Sequence, residues 1–213
     1  MELSLNAFVT LDGVMQGPGG PQEDTADGFD RGGWLVPFPV DAWGHVVDGW
    51  FRKTSAILLG RTTFEMMRGY WPHVTDPDNR VARILNQGKK YVVSTQLSDA
   101  DAQWGDTTVI RSDVIATIER LKRRQTGELQ VHGSWKLAQS LHAAGLVDVV
   151  RLLQFPVVVG GGKRFSGEEA IRFQVQNSEI LPGGIVSWEL RPTRFDSATV
   201  GEYAVRNGKE TVA

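Results

Sequence analysis

An α/β fold follows from three features of the chain. Short apolar runs alternate with segments of helical periodicity, the alternation persists over most of the 213 residues, and the last two strand-like runs have no helix between them. The expected architecture is three-layer: a mainly parallel central sheet, helices on both faces, and an antiparallel C-terminal hairpin at one edge. No repeat or low-complexity tract divides the chain. Residues 1–205 therefore read as a single domain with a long lid loop at about 12–38, and residues 206–213 as a polar tail.

The elements follow in order. Leu3 to Val9 alternates as a first strand. The next thirty or so residues, rich in Gly, Pro and Asp, have no apolar period, and Phe29, Trp34 and Phe38 mark them as a lid that packs on something. Val40, Trp43, Val47 and Trp50 share one helical face. Ile57–Leu59 reads as the end of a buried strand, and Thr62 with Glu65 fits the T-x-x-E capping box of a following helix. A helix over "DPDNRVARILNQG" carries Val81, Ile84 and Leu85 on one face, with an Asp cap and a Gly88 stop. "KYVVS" and "TTVI" are short strands, and Val114, Ile115, Ile118 and Leu121 form the apolar face of the next helix. "ELQVHG" is a strand, and "SWKLAQSLHAAG" a helix stopped by Gly145. "VDVVRLLQFPVVVGGG" is strand-rich, and two strands flank the Pro182–Gly184 turn.

Composition narrows the function classes. A hydrophobic content of 41% supports a sizeable core, and a net charge of −2 provides no global field for nucleic acid. With no cysteine there is neither a thiol nucleophile nor a cysteine zinc site, and His45, His73, His132 and His142 lack metal-binding spacing. No metal site is expected. The start lacks a signal-peptide pattern and no run is long enough to span a membrane, so the reading is a cytoplasmic protein.

Sheets of this kind bind ligands beyond the carboxyl ends of their strands. Four strand-to-helix junctions present glycine, hydroxyl or cationic residues there: "LLGRTTFE", "VVSTQ", "QVHGSWKL" and "VVVGGGKRF". Arg61 is unexpected beside a helix N-terminus, which already carries positive partial charge, unless an anion binds there. Ser134 could cap the following helix, and Gly160, Gly161 and Gly162 form a loop able to lie against a ligand. Each junction alone has an ordinary structural reading; as a set they suggest a ligand with separated phosphates, such as a dinucleotide.

The ordered set "TLDG", "LLGRTTFE", "YVVST", "HGSWKLAQSLHAAGLVD" and "FPVVVGGGKRF" resembles the dihydrofolate-reductase-like superfamily. It is most similar to stand-alone relatives of the reductase domain of the bacterial bifunctional riboflavin-biosynthesis deaminase-reductase. The resemblance implies NADPH. Gly60, Arg61 and Thr63 match its phosphate-gripping G-R-x-T, with Thr62 between them, and Ser94 and Thr95 match the turn near the adenosine 2′-phosphate. Gly133 and Ser134, followed by Trp135, match the pair that admits the pyrophosphate, and Gly161 and Gly162 complete the expected cofactor contacts.

The resemblance also implies hydride transfer to a small C=N or C=O acceptor, pterin-like or resembling 5-amino-6-(5-phosphoribosylamino)uracil, in a homodimer. It places the nicotinamide near residues 10–13. Asp12 is then the first candidate for the proton, with an Asx turn before Gly13 as the alternative. Asp41 and Asp48 lie in the region where dihydrofolate reductases carry a carboxylate. Trp34 and Phe38 are expected to contact substrate from the lid; the alternative for Trp34 is the static core. Val14 replaces a usual lysine and His132 a usual glutamate, which sets this chain apart from the riboflavin-pathway reductases. A non-catalytic NADP(H)-binding or regulatory protein on the same fold is the other reading.

Overall fold

The computed structural model describes residues 1–167, 170–197 and 200–212. Glu2–Thr10 forms β1, Gly44–Phe51 α1, Thr54–Gly60 β2, Arg61–Tyr70 α2 and Arg80–Gln87 α3. Lys89–Val93 forms β3, Asp106–Ile110 β4, Val114–Arg124 α4, Glu128–His132 β5, Trp135–Ala143 α5 and Val149–Phe155 β6. Two long strands, β7 (Ile171–Ile180) and β8 (Val186–Arg194), complete an eight-stranded sheet of order β4-β3-β2-β5-β1-β6-β8-β7. The first six strands pair in parallel, and β8 and β7 add antiparallel at one edge. The mainly parallel sheet with an antiparallel C-terminal hairpin is the architecture the alternation predicts.

Strand alternation divides the side chains between two faces. Leu3, Leu5, Leu129, Val131 and Val150 pack with Ile118 of α4 and with Leu137 and Leu141 of α5. On the opposite face Ile57, Leu59 and Val92 pack with Phe51 of α1, Phe64 of α2 and Leu85 of α3. On that same face, toward β6, Leu153 and Phe155 pack with Trp50 and with Val14, Phe29, Trp34 and Leu35 from the long loop after β1.

Between these last two clusters runs a buried polar stripe. Ser4, Asn6, Glu128, Gln130, His132 and Arg151 are all at most 9% exposed. Arg151 pairs with both carboxylate oxygens of Glu128 and donates from Nε to Glu189 at 3.0 Å. Glu128 also accepts from Ser4 Oγ at 2.6 Å and from Gln130 Nε2 at 2.9 Å. Burial alone would raise the Glu128 pKa, but the Arg151, Ser4 and Gln130 contacts outweigh it and lower it. A buried pair is tolerated only when its remaining lone pairs and protons are satisfied, as these are.

The loop expected as a lid is folded down. Trp34 is 6% exposed, donates from Nε1 to Gln16 O at 2.9 Å, and meets the Phe155 ring edge-on. In this conformation Trp34 therefore belongs to the core cluster around Phe155 and has no open face. Phe38 packs on the same Phe155 ring and is half-buried.

Three local expectations are corrected. The capping box does not form, because α2 begins two residues earlier: Gly60 is its N-cap, Arg61 its first residue, and no side chain caps it. Asn79, not an aspartate, caps α3 by accepting from Ala82 N–H at 2.9 Å. The segment read as a polar tail from residue 206 closes a separate hairpin of β9 (Tyr203–Arg206) and β10 (Lys209–Val212). Its turn is Asn207-Gly208, both with positive φ, the pair that two-residue hairpins favour.

Removing the guanidinium leaves Glu128 buried and uncompensated. Arg151→Ala is expected to cost about 3–5 kcal/mol of unfolding free energy, measured by urea titration. A loss below about 1 kcal/mol, the scale of an exposed pair, would contradict the buried-pair account.

Candidate active site

The cleft arises where two central strands part. β1 and β5 remain bridged only as far as Asn6 and His132, while β1 continues along β6 to Thr10. Gly133 (φ 57) and Ser134 (φ 61) turn the chain off the sheet into α5. Ser134 is a non-glycine residue in left-handed backbone, which costs about 1–2 kcal/mol. It does not cap its helix; its hydroxyl instead accepts from Gly60 N–H at 2.8 Å, tying the end of β2 to the end of β5. The N-termini of α2 and α5 are thereby held side by side.

Together they border a cleft of about 1070 Å³. Seven of the expected cofactor residues line it: Gly60, Arg61, Thr62, Thr63, Gly133, Ser134 and Trp135. Neither helix has an acidic residue in its first turn. Arg61 is half-exposed and, among the described residues, paired only with Glu65, at 3.5 Å. Lys136, on the first turn of α5, adds a second cation that the sequence reading missed. Its signal was present, since "HGSWK" repeats the cation-after-junction pattern of "LLGR". A Cβ at Gly133 would make only an ordinary contact with the Thr63 side chain, at 3.5 Å; it is the positive φ that favours glycine there. Two helix ends with a cation each, beside Cβ-free backbone, are suited to phosphate groups.

The other expected residues fall elsewhere. Ser94 lies just past Val93 of the lining, and its hydroxyl accepts from Gln96 and Leu97 N–H, closing its own turn. Thr95, next to it, is exposed. Gly161 and Gly162 line a neighbouring hollow of about 940 Å³ rather than this cleft. A Cβ at Gly162 would meet Phe29 and Val14 at 2.9 Å, so that glycine serves the contact with the long loop.

Asp12 lines neither space. It accepts from Thr10 Oγ1 at 2.6 Å, Gly160 N at 2.8 Å and Val159 N at 3.3 Å. Burial works to raise its pKa, but these hydrogen bonds prevail and lower it. Asp12 pins the loop at Gly160 and is poorly suited to donate a proton. Asp48 is engaged with Arg52 and Arg80, and neither it nor Asp41 lines the cleft. Among the described residues no cluster of three His, Asp or Glu side chains could hold a metal ion, and no helix is long and apolar enough to cross a membrane.

The lining of the same cleft also includes Phe8, Trp50, Glu23 and His132. Burial raises the Glu23 pKa, and the Asp24 charge adds to this against hydrogen bonds from Gly19 and Gly20. His132 stacks on Phe51 at 4.7 Å, and its Nε2 lies 3.0 Å from Gln130 Oε1. Burial pushes its pKa down to about 4; Glu128 opposes this and Arg151 reinforces it.

This arrangement defines a dihydrofolate-reductase-like protein with a nucleotide-sized cleft at the carboxyl ends of its parallel strands. Residues 2–187 match the RibD C-terminal domain family, and the chain belongs to it. It is 26% identical over 186 residues to the uncharacterized protein YyaP of Bacillus subtilis (strain 168), across 85% of this chain and 90% of that protein. Among solved structures, a protein of Shewanella sp. PV-4 provisionally named for riboflavin biosynthesis superposes with a TM-score of 0.64 at 18% identity, covering 91% of this chain and all (100%) of that one. Dihydrofolate reductase from Enterococcus faecalis, complexed with NADP(H), gives 0.57 at 15% identity, covering 91% and 97%. At these identities the superpositions establish the fold.

The depressed His132 pKa has a testable sign. Below pH 6.5 the unfolded imidazole takes up a proton that the folded one refuses until about pH 4. Its contribution to stability is present above pH 6.5 and lost as pH falls through that window. Between pH 6.5 and 5 the loss should be about 2 kcal/mol. Urea titrations of the wild type and His132→Phe at both pH values check this: the variant should lack that component, and identical slopes would contradict it.

Proposed function

We propose that the protein is an NADPH-dependent reductase that transfers hydride to a C=N or C=O bond of a small acceptor, pterin-like or aminouracil-like. The observation carrying this reading is the convergence of α2 and α5, with Arg61 and Lys136, on one cleft that reaches the gap between β1 and β5. Arg61, Thr62 and Thr63 would hold one phosphate, and the backbone of Gly133, Ser134 and Trp135 with Lys136 another. Thr95, exposed in the turn after β3, would meet the 2′-phosphate. When bound, NADPH supplies the hydride.

The chain's own residues supply the rest. Phe8 and Trp50 form an apolar wall that limits water at the reacting end. Glu23 is the carboxyl best fitted to carry the accompanying proton, because it borders the cleft and burial favours its protonated form. Homodimeric assembly and a cytoplasmic location are part of this reading. A second reading, nucleotide binding without turnover, draws on the commitment of Asp12 to the Gly160 loop.

Arg61→Ala is expected to weaken NADPH binding by about 1.5–3 kcal/mol, with the folded state nearly unaffected because Arg61 makes one half-exposed ion pair. Calorimetric titration against NADPH and NADH checks both affinity and an expected preference for NADPH. Unchanged affinity in the folded variant would remove Arg61 from the site. Absorbance loss of NADPH with candidate acceptors separates turnover from binding alone.

A further inference from the structure

The imidazole of His132 is held in one orientation by groups that leave little choice of tautomer. Gln130 Nε2 lies 2.7 Å from Trp50 O and 2.9 Å from Glu128 Oε1, both acceptors. The Gln130 amide nitrogen is thus fixed on that side, and its Oε1 must accept the third contact. Its partner at 3.0 Å is His132 Nε2, which therefore carries the ring proton. Nδ1 is left with a lone pair. Among the described residues it has no hydrogen-bond partner, nor is it one of their sealed, unpartnered side-chain atoms. His132 lines the cleft where β1 and β5 part, so the lone pair opens onto that space.

We propose that His132 Nδ1 is a fixed hydrogen-bond acceptor that selects the substrate, requiring an N–H or O–H donor at this point of the acceptor molecule and rejecting a carboxylate or phosphate there. Three observations extend the argument. The ring cannot readily turn, because Phe51 stacks on one face and Gln130 holds its far edge. The charged groups whose fields reach it, Glu128 on its own strand and Arg151 on β6, oppose one another and are engaged together. The imidazole stays uncharged, so it gives an anion no Coulombic reward while turning a lone pair toward it. A site built to bond a donor discriminates strongly against an analogue that lacks one, since a buried polar group is then left unpaired.

The substrate class is accordingly an uncharged, donor-bearing heterocycle of the amino- or lactam-substituted kind, with any anionic substituent directed elsewhere. This rests on the reductase reading only in treating the ligand as the hydride acceptor. The tautomer and the donor preference do not depend on turnover.

The test is heteronuclear NMR correlating the His132 ring nitrogens with the carbon-bound ring protons, first in the free protein. The expected spectrum shows Nε2 protonated and Nδ1 bare, unchanged between about pH 5.5 and 8. The protein is then saturated with NADPH and titrated with 6-aminouracil or with 1,3-dimethylorotate, which carries a carboxylate on the same ring and no N–H donor. 6-Aminouracil should move the Nδ1 resonance and 1,3-dimethylorotate should not. His132→Phe, which keeps a stacking ring, should weaken aminouracil binding about tenfold or more while NADPH affinity stays within about twofold.

A protonated Nδ1, a titration inside that pH range, preference for 1,3-dimethylorotate, or an Nδ1 resonance unmoved by 6-aminouracil up to its solubility would overturn the proposal. Failure of NADPH to bind would instead remove the reductase reading, with the free-protein spectrum and the probe titrations still deciding the role of His132.

Discussion

A guanidinium placed inside a parallel sheet constrains everything around it. Arg151 is 2% exposed on β6, and it can stay charged there only if neighbouring strands deliver acceptors to it. Glu128 on β5 and Glu189 on β8 do so, across β1 on one side and directly on the other. The pair fixes register between strands far apart in sequence, because a one-residue slip would send Glu128 or Arg151 to the opposite, wholly apolar face. It also makes Glu128 a stable carboxylate that can take Ser4 and Gln130 as donors. From Gln130 the order passes to Trp50 O on α1 and to the ring of His132. One buried ion pair thus governs how α1 sits on the sheet and how the last side chain of β5 faces the cleft.

The cleft itself is a consequence of where strands stop. β5 ends at His132 while β1 runs on, and the two left-handed residues that follow turn the chain sharply into α5. The same turn brings the Ser134 hydroxyl against Gly60, so the helix starting at Arg61 cannot drift from the one starting at Trp135. Positive ends of two helices and two cations side by side repel one another. Strained Ser134 and positive charge only partly relieved by Glu65 are costs to the folded chain at one place, and a polyanionic ligand would offset them.

Much of this was legible before any coordinates. Each strand-helix alternation and the C-terminal antiparallel pair follow from periodicities that local sequence carries, and the glycine-bearing junctions fall at strand ends because turns there require them. The failures are of two kinds. Cap residues shift by a residue or two, as at Gly60 and Asn79, because several neighbouring residues could cap and packing chooses among them. Side-chain commitments made through space are invisible: nothing in "TLDGV" announces that Asp12 accepts N–H groups from residues 159 and 160. The polar stripe did leave a trace. Ser4 and Asn6 on one strand, and Glu128, Gln130 and His132 on another, recur at a period of two within strands that must be central. Such a pattern on a buried strand means polar groups satisfying one another, and Arg151 in "VVRLLQF" is the cation that completes it.

The division of labour in the cleft follows from these commitments. Arg61 and Lys136 stand at the helix ends, whereas Lys163, also in the lining, is paired with Asp24. Toward β1 and β5 the groups are different in kind, with aromatic side chains from Phe8 and Trp50 and an imidazole that burial keeps uncharged, while the long loop contributes Glu23, a carboxyl whose pKa burial raises. Asp12, the carboxylate nearest the expected position in sequence, is withdrawn into holding the Gly160 loop against the folded-down segment that carries Trp34. Using Asp12 as a structural pin keeps its charge out of the cleft, which it does not line. In the reading proposed above, the uncharged imidazole of His132 is then left to meet the acceptor, while Arg61 and Lys136 at the two helix ends meet the ligand's phosphates.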